Sequence, residues 1–246
     1  MVLLLVLGCV VVVGAMLQRA SGTGLGLLLA PVFTLALGPS SGVLVTNAVT
    51  AVSATLLFVG VRRNVDWARW RLLVAGALVG IPPGALLVAV TPAAVLQIGI
   101  GATVFAGLAA TMWVRRPPRV PAREGALATG VLGGFLNVTS GVAAAATVVY
   151  ARASRWDHWR YAATLQPTFA AFGALSVAAK LATGTDADLE ALSWWFVPVC
   201  LAGVLAGARL GSALAARVGA ETARTAAVLL AGTGAVATVV RGIGGL

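Results

Sequence analysis

Long apolar runs follow one another along nearly the whole chain, and they restrict its fold more than any other feature. Each run holds 16 or more residues with very little charge, and a helix needs roughly 20 apolar residues to cross a bilayer. A chain of 246 residues therefore has room for about eight membrane elements. The runs cover residues 2–17, 20–37, 40–61, 72–90, 93–114, 125–150, 161–182, 193–215 and 222–241.

Composition agrees with a membrane location. The chain is 60% hydrophobic and only 10% charged, whereas a soluble domain is about 45–50% apolar and about 25% charged. These values exclude a water-soluble globule, a disordered chain and an ordinary nucleic-acid-binding domain, even though the net charge is +10. The sequence therefore predicts an all-α polytopic membrane protein.

A basic, proline-rich stretch divides the chain into two halves. Between Arg115 and Arg123 there are four arginines and three prolines, a composition that ends one membrane helix and separates it from the next. We expect a first transmembrane repeat at 1–116, a cytoplasmic linker at 117–124 and a second transmembrane repeat at 125–246.

The two halves share short patterns in the same order. Each contains a ladder of three glycines at four-residue spacing in its third element, which allows close approach of helix backbones. Two related copies of about 120 residues are typical of transporters built from fused repeats. The paired patterns are Gly76-Gly80-Gly84 with Gly203-Gly207-Gly211, Ser21-Gly22 with Ser140-Gly141, and Thr46-Asn47 with Thr164-Leu165-Gln166.

Arginine placement indicates the orientation, because Lys and Arg are enriched in cytoplasmic loops. The loops at 62–71, 115–123 and 151–160 are basic, whereas the loop at 186–190 is acidic. If residues 125–150 cross the membrane once, the third basic loop lies outside. If they form a re-entrant hairpin of two half-helices, thirteen of the seventeen basic residues lie on the cytoplasmic side.

We expect the hairpin, and a matching one in the first half. The polar break 137–141 lies near the middle of 125–150, and residues 1–37 are broken between Gln18 and Gly26. Each half then has four elements, namely one broken or re-entrant hairpin and three crossings. Since three is odd, the halves are inverted relative to each other. Eight simple crossings with a weaker charge bias are the alternative.

The first break is the strongest candidate for a binding site. Irregular, glycine-rich backbone at membrane depth is tolerated where it lines a cavity or is buried in protein, and helix N-termini there favour anions. Arg19 would attract an anion, or alternatively extend its side chain to the membrane interface from a simple helix end. The expected binding residues in this break are Arg19, Ser21, Gly22, Gly24 and Gly26.

The second break and the helices that follow the two breaks add neutral polar groups. They predict a polar cavity between the halves, although each group alone is also explained by interhelical hydrogen bonding, worth about 0.6 kcal/mol. Ser53 and Thr164 belong to the same set of neutral groups. The expected binding residues here are Thr46, Asn47, Asn137, Thr139, Ser140, Gly141 and Gln166.

Catalytic and metal-binding patterns are missing from the sequence. His158 is the only histidine, and a metal site needs several converging ligands. There is no nucleophile with a base, no phosphate-binding loop, and no acidic residue within an apolar run that could relay protons. We therefore expect neither an enzyme nor a bound cofactor.

Several short motifs occur in an order that is typical of one family. They are Gly22-Thr23-Gly24-Leu25-Gly26 followed by Pro31, then Thr46-Asn47, Val65-Asp66-Trp67 and Gly207-Ala208-Arg209-Leu210-Gly211. With them, nearly the whole chain resembles the sulfite exporter TauE/SafE family of bacterial membrane proteins. The resemblance implies outward transport of sulfur-containing anions. The second break, Gly141-Val142-Ala143-Ala144, lacks the further glycines and the proline of the family pattern, so a symmetric substrate site does not follow from the resemblance.

The residues and the resemblance together predict a secondary transporter, and specifically an exporter, of small anions. The resemblance narrows these to sulfite, sulfonates or other organosulfur anions, bound at a glycine-lined site near the membrane midplane. We expect a small anionic substrate and the lipid bilayer as partners, coupling to protons or the membrane potential, and a place in the bacterial plasma membrane. The alternatives are an anion channel and a non-catalytic subunit of a larger membrane complex.

Overall fold

The computed structural model describes residues 2–21, 25–113, 117–185, 195–217 and 220–246. Within these ranges the chain is helical and has no strand, with a 3₁₀ turn at Arg62–Asn64. The α-helices are α1 (Val2–Ser21), α2 (Leu25–Leu37), α3 (Pro39–Val61), α4 (Trp67–Val90), α5 (Ala93–Trp113), α6 (Ala122–Ser140), α7 (Ala144–Ala153), α8 (His158–Ala182), α9 (Phe196–Arg217) and α10 (Ala220–Ile243).

Four helices in the described part of the chain are long and apolar enough to cross a membrane. They are α3 with the 3₁₀ turn, α4, the first 18 residues of α5, and α8. Shorter apolar helical segments lie in α1, α2, α9 and α10. The predicted class, an all-helical multi-pass membrane protein, is confirmed.

Both glycine ladders lie where two helices pack backbone to backbone. In α4, a Cβ atom added to Gly80 would lie 2.8 Å from the carbonyl carbon of Val131 in α6. In α9, a Cβ added to Gly211 would lie 2.8 Å from the carbonyl oxygen of Met16 in α1. Such close approach lets van der Waals packing hold helices together in lipid, where the hydrophobic effect contributes little.

We expect Gly80→Ala to lower stability by about 1–3 kcal/mol, because the added methyl group must displace backbone atoms of α6. Gly99→Ala in α5 is the matched control, since a Cβ there meets nothing within 4 Å. Thermal unfolding of the purified protein in detergent measures both variants. Equal unfolding temperatures for the two would contradict this account of the α4–α6 contact.

Helices α6 and α7 form an antiparallel hairpin. Gly141 ends α6 in the left-handed conformation with a φ of 73°, which glycine adopts without steric cost. At the other end of the pair, the Val120 amide donates to the Ala153 carbonyl at 3.4 Å and the Tyr150 hydroxyl to the Ala122 carbonyl at 2.6 Å. The chain therefore enters and leaves this hairpin at the same end of the molecule.

The basic loops meet at that open end. The Asp66 amide donates to the Thr164 hydroxyl at 2.9 Å, which joins the start of α4 to the start of α8. The Arg69 guanidinium lies 4.5 Å from the ring centre of Trp156. The basic loops at 62–71 and 151–160 therefore lie at the same end of the molecule. Whether residues 125–150 re-enter the membrane as predicted depends on where the membrane lies, so that part stays a prediction.

Helices α1 and α2 form the second pair. Two contacts place both of their free ends beside the first turn of α9. A Cβ on Gly8 of α1 would lie 2.7 Å from Cγ1 of Val199, and the rings of Phe33 in α2 and Phe196 lie 6.1 Å apart, edge to face. The expected arrangement of about eight membrane elements in two repeats stays a prediction.

The remaining helices pack across the two predicted repeats, α3 against α8 and α5 against α10. One buried apolar cluster joins α4, α6 and α8 around Phe172, and another joins α1, α2 and α9 around Phe33. Helix α6 begins at Ala122, so the last residues of the expected 117–124 linker form its first turn. The division into 1–116 and 125–246 stays a prediction.

Candidate functional site

The tips of the two hairpins meet in the interior of the protein. Gly26, the second residue of α2, lies so close to the carbonyl oxygen of Gly141 that a Cβ on Gly26 would overlap it. A cavity of about 20 Å³ lies beside this contact, and a space of that size holds about one water molecule. The glycines let the two breaks touch, and the touching breaks bound the cavity.

Two helix N-termini border the cavity. Residues 25–27 are the first turn of α2, and residues 142–144 lead into α7. The N-cap of α7 is Ala143, with no side-chain capping bond. Because a helix N-terminus carries about half a positive charge and presents free N–H groups, this lining favours an anion. No lining residue that the structure describes is charged.

A buried amide group from α1 forms one side of the site. Gln18 is 1% exposed and lines the cavity. Its Nε2 donates to Oε1 of Gln166 in α8 at 3.4 Å, and its Oε1 accepts from the Ser53 hydroxyl of α3 at 2.7 Å. The amide of Gln18 is therefore held in one orientation by two other helices.

Asn137 of α6 forms the opposite side. Its Nδ2 donates to the Ser176 hydroxyl of α8 at 3.0 Å, and its backbone carbonyl accepts from Nδ2 of Asn47 in α3 at 3.0 Å. The same carbonyl accepts the N–H of Gly141 at 2.9 Å. Asn137 thus joins the α6–α7 break to α3 and α8 by hydrogen bonds.

Gln18 and Asn137 occupy corresponding places in the two halves. Each is the fourth residue from the C-terminal end of its helix, α1 or α6. Gln166, the partner of Gln18, is the ninth residue of α8, and Asn47, the partner of Asn137, is the ninth residue of α3. The polar groups around the cavity therefore follow the same spacing in both halves.

Thr50 supplies a hydroxyl that has no partner. It is 8% exposed and lines the cavity, and its Oγ1 forms no hydrogen bond. Leaving a buried polar group without a partner costs about 1–3 kcal/mol, so this hydroxyl is available to a bound water or ligand. The sequence carried a signal for it, because Thr46, Thr50 and Ser53 follow helical spacing on one face of α3.

Several predicted binding residues come together at the cavity. Gly26, Asn137 and Gly141 line it, and Asn47 and Gln166 are bonded to lining residues. Gly22 and Gly24 lie outside the described residues. Ser21 is the last residue of α1.

Three predicted hydroxyl groups are used within their own helices. Thr46 donates to the carbonyl of Gly42, and Ser140 to that of Leu136. Thr139 bonds to carbonyls of the same turn of α6. They stay predicted site residues, with Thr46 the nearest, since its Cγ2 would lie 3.0 Å from a Cβ on Gly141.

Arg19 faces a different direction from Gln18. Its side chain is exposed, and its Cβ would lie 2.9 Å from a Cβ on Gly211 of α9. Successive residues of a helix point about 100° apart, so a helix that turns Gln18 inward turns Arg19 outward.

Lys180 is a buried lysine that the sequence did not single out as a site residue. It lies in the last turn of α8, is 0% exposed, and donates to the Ser40 carbonyl at the start of α3 at 3.5 Å. The salt bridge found among the described residues joins Arg69 to Asp66. Lys180 therefore forms no salt bridge with a described carboxylate. Lys180 follows Ser176 by one helical turn, which places its amine one turn beyond the partner of Asn137.

Gly141→Ala is expected to destabilise the protein and to reduce function. An alanine costs about 1–2 kcal/mol in the left-handed conformation, and here its methyl group would also press on Thr46. Gly184→Ala is the control, since Gly184 has a φ of 61° and nothing within 4 Å. Unfolding temperatures should fall for both variants, and further for Gly141→Ala. An equal fall would show that the close packing of Gly141 against Thr46 contributes nothing.

The arrangement is suited to binding an anion, with N–H and O–H donors around a small buried space. A family model described as Sulfite exporter TauE/SafE matches residues 6–238, nearly the whole chain. The chain belongs to the sulfite exporter TauE/SafE family. This is a family of membrane transporters and not of enzymes, and membership implies transport of sulfur-containing anions. No curated protein and no solved structure matches the chain.

Proposed function

We propose that this TauE/SafE protein is a secondary transporter that exports small sulfur oxyanions, such as sulfite or organic sulfonates, across the bacterial plasma membrane. The observation that carries the proposal is the cavity between the hairpin tips, bordered by the N-termini of α2 and α7. Its donors suit a compact group with several acceptor oxygens. The family supports sulfur as the central atom, while the lining supports only the anionic charge.

The cavity volume favours a transporter over an anion channel. A space of about 20 Å³ holds one water molecule, whereas sulfite has four non-hydrogen atoms. The tips must therefore separate when the anion binds, and the Gly26–Gly141 contact is the place where they separate. A site that opens and closes with each ion is typical of alternating access.

The helix contacts support two inverted repeats. When α1–α5 are matched in order with α6–α10, the contact of α4 with α6 corresponds to the contact of α9 with α1. The contacts of α3 with α8 and of α5 with α10 each correspond to themselves. One hairpin opens beside the basic loops and the other beside the first turn of α9. We infer that the basic end is cytoplasmic, and that rocking of the two halves exposes the cavity to each side in turn.

Export needs no other driving ion. An inside-negative membrane potential of 100 mV favours outward movement of one negative charge by about 2.3 kcal/mol. The described residues place no carboxylate in the cavity lining, so we propose coupling to the membrane potential rather than to a carboxylate proton relay.

Flux in proteoliposomes tests the function. Sulfite, an alkylsulfonate, sulfate, acetate and chloride are loaded separately, and a potassium diffusion potential of either sign is applied. Saturable flux that prefers sulfur oxyanions and changes with the sign of the potential supports the proposal. Non-saturating flux identifies a channel, and no flux of any anion from correctly inserted protein overturns transport altogether. A stoichiometric partner that copurifies and is required for flux identifies a subunit.

Arg19 is proposed to draw anions toward the site from its exposed position. Arg19→Ala should raise the half-saturation concentration about tenfold, since clustered positive charge raises local anion concentration by that order or more. Arg209→Ala, another exposed arginine, is the control and should change it little. The difference should shrink in high salt, because salt screens exposed charges. Unchanged kinetics of Arg19→Ala would remove this role.

A further inference from the structure

A second, larger cavity lies between α5, α6 and α7. Its volume is about 460 Å³, compared with about 20 Å³ at the hairpin tips. The lining is almost entirely apolar, with Ala106 and Ala110 from α5, Ala128 and Leu132 from α6, and Val149 from α7. It opens sideways, since Leu132 is 52% exposed and Ala106 and Ala128 are also exposed.

The groove lies along a helix that is long and apolar enough to cross a membrane. Helix α5 contributes one of the membrane-spanning segments, Ala93–Ala110, and the groove runs along it from Thr103 to Ala110. On α6 it runs from Gly125 to Leu136, about 16 Å at 1.5 Å per residue. An apolar groove of this length beside a spanning helix is filled by an acyl chain rather than by water.

Arginines lie close in sequence to groove-lining residues at the end beside the basic loops, namely Val120, Gly125 and Ala153. Arg119 and Arg123 are exposed, just before and within the first turn of α6. Arg152 of α7 donates across the groove mouth to the carbonyl of Ala110 at 3.4 Å. One acidic residue, Glu124, lies among them, so the mouth keeps a net positive charge.

We propose that this groove is a binding site for one anionic phospholipid, with an acyl chain between α5 and α6 and the phosphate at Arg119, Arg123 and Arg152. Positive side chains at the cytoplasmic surface attract anionic lipids by about 1 kcal/mol each. The lipid packs against the α6–α7 hairpin, whose tip carries Asn137 and Gly141. Bound lipid therefore fills the space beside the hairpin and holds the hairpin against α5.

Native mass spectrometry of the full chain, with phosphatidylglycerol or phosphatidylcholine added to the detergent, tests the site. Wild type should bind phosphatidylglycerol more tightly than phosphatidylcholine. Arg119→Gln with Arg123→Gln should weaken phosphatidylglycerol binding about 10- to 30-fold and leave phosphatidylcholine binding unchanged. The control pair, Arg62→Gln with Arg63→Gln, removes two exposed arginines at the basic end but away from the groove, and should bind as wild type does.

Leu132→Trp places an indole ring in the groove where the acyl chain would lie and should weaken binding of either lipid. Leu78→Trp is its control on α4, at a leucine that is 56% exposed. Equal lipid binding by Leu132→Trp and wild type overturns the proposal, as does equal affinity for the two lipids. A dimer that only Leu132→Trp disrupts would assign the groove to a second copy of the chain and also overturn it. The readout is bound lipid, so it does not depend on whether the chain exports sulfite.

Discussion

Asn137→Asp is expected to abolish anion transport while the protein stays folded. The two side chains have nearly the same shape, and the Ser176 hydroxyl that now accepts from Asn137 Nδ2 can rotate and donate to a carboxylate. The substitution places a negative charge in a cavity lined by helix N-termini. Because juxtaposed like charges cost several kcal/mol, we expect flux to fall at least about 100-fold.

Proteoliposome flux and thermal unfolding are measured together for this variant. Asn64→Asp is the matched control, since it makes the same chemical change at an exposed residue. Flux through Asn137→Asp should recover as the pH is lowered, because a protonated acid no longer repels an anion. Transport at the wild-type rate at neutral pH would show that the anion does not pass Asn137.

Lys180→Met should lower transport strongly without loss of stability. The side chain of Lys180 is fully buried, and its Nζ donates to the Ser40 carbonyl. A buried charge without a partner of opposite sign destabilises a protein, so an apolar side chain of similar volume is often neutral or stabilising. If the charge attracts the anion, its loss removes an interaction worth about 1.5–3 kcal/mol, or roughly 10- to 100-fold in flux.

Lys180→Arg keeps the charge and is the control for this variant. It should retain most of the flux that Lys180→Met loses, while both keep the unfolding temperature of wild type or exceed it. The acidic residues Asp186, Asp188 and Glu190 follow in the sequence, outside the described residues. A lower unfolding temperature for Lys180→Met, with unchanged flux, would assign Lys180 to a structural ion pair instead of to anion attraction.

Much of the fold was predictable because glycine and arginine have position-specific costs in a membrane. Glycines at four-residue spacing predicted close helix contacts, and both ladders lie in such contacts, α4 on α6 and α9 on α1. Arginines predicted that the loops at 62–71 and 151–160 share one end of the molecule, and the Arg69–Trp156 contact joins them. Helix pairing itself was not predictable, since apolar helices offer many equivalent partners.

The candidate site was predicted in part. The polar breaks indicated Gly26, Asn137 and Gly141, because irregular backbone at membrane depth must be buried or line a cavity. Gln18 and Arg19 are neighbours in the sequence, and only the rotation of α1 in the folded protein decides that Gln18 lines the cavity while Arg19 is exposed.

By itself the sequence determined the class of protein, a helical membrane protein, because apolar length and glycine spacing are local properties of the chain. Its ordered short motifs added the TauE/SafE family by resemblance. Only the tertiary structure decided which groups surround the candidate site. Asn47 meets Asn137 across 90 residues, and Gln18 meets Gln166 across 148. The burial of Lys180 depends likewise on how α8 packs against α3, and no pattern along one helix encodes how a distant helix packs against it.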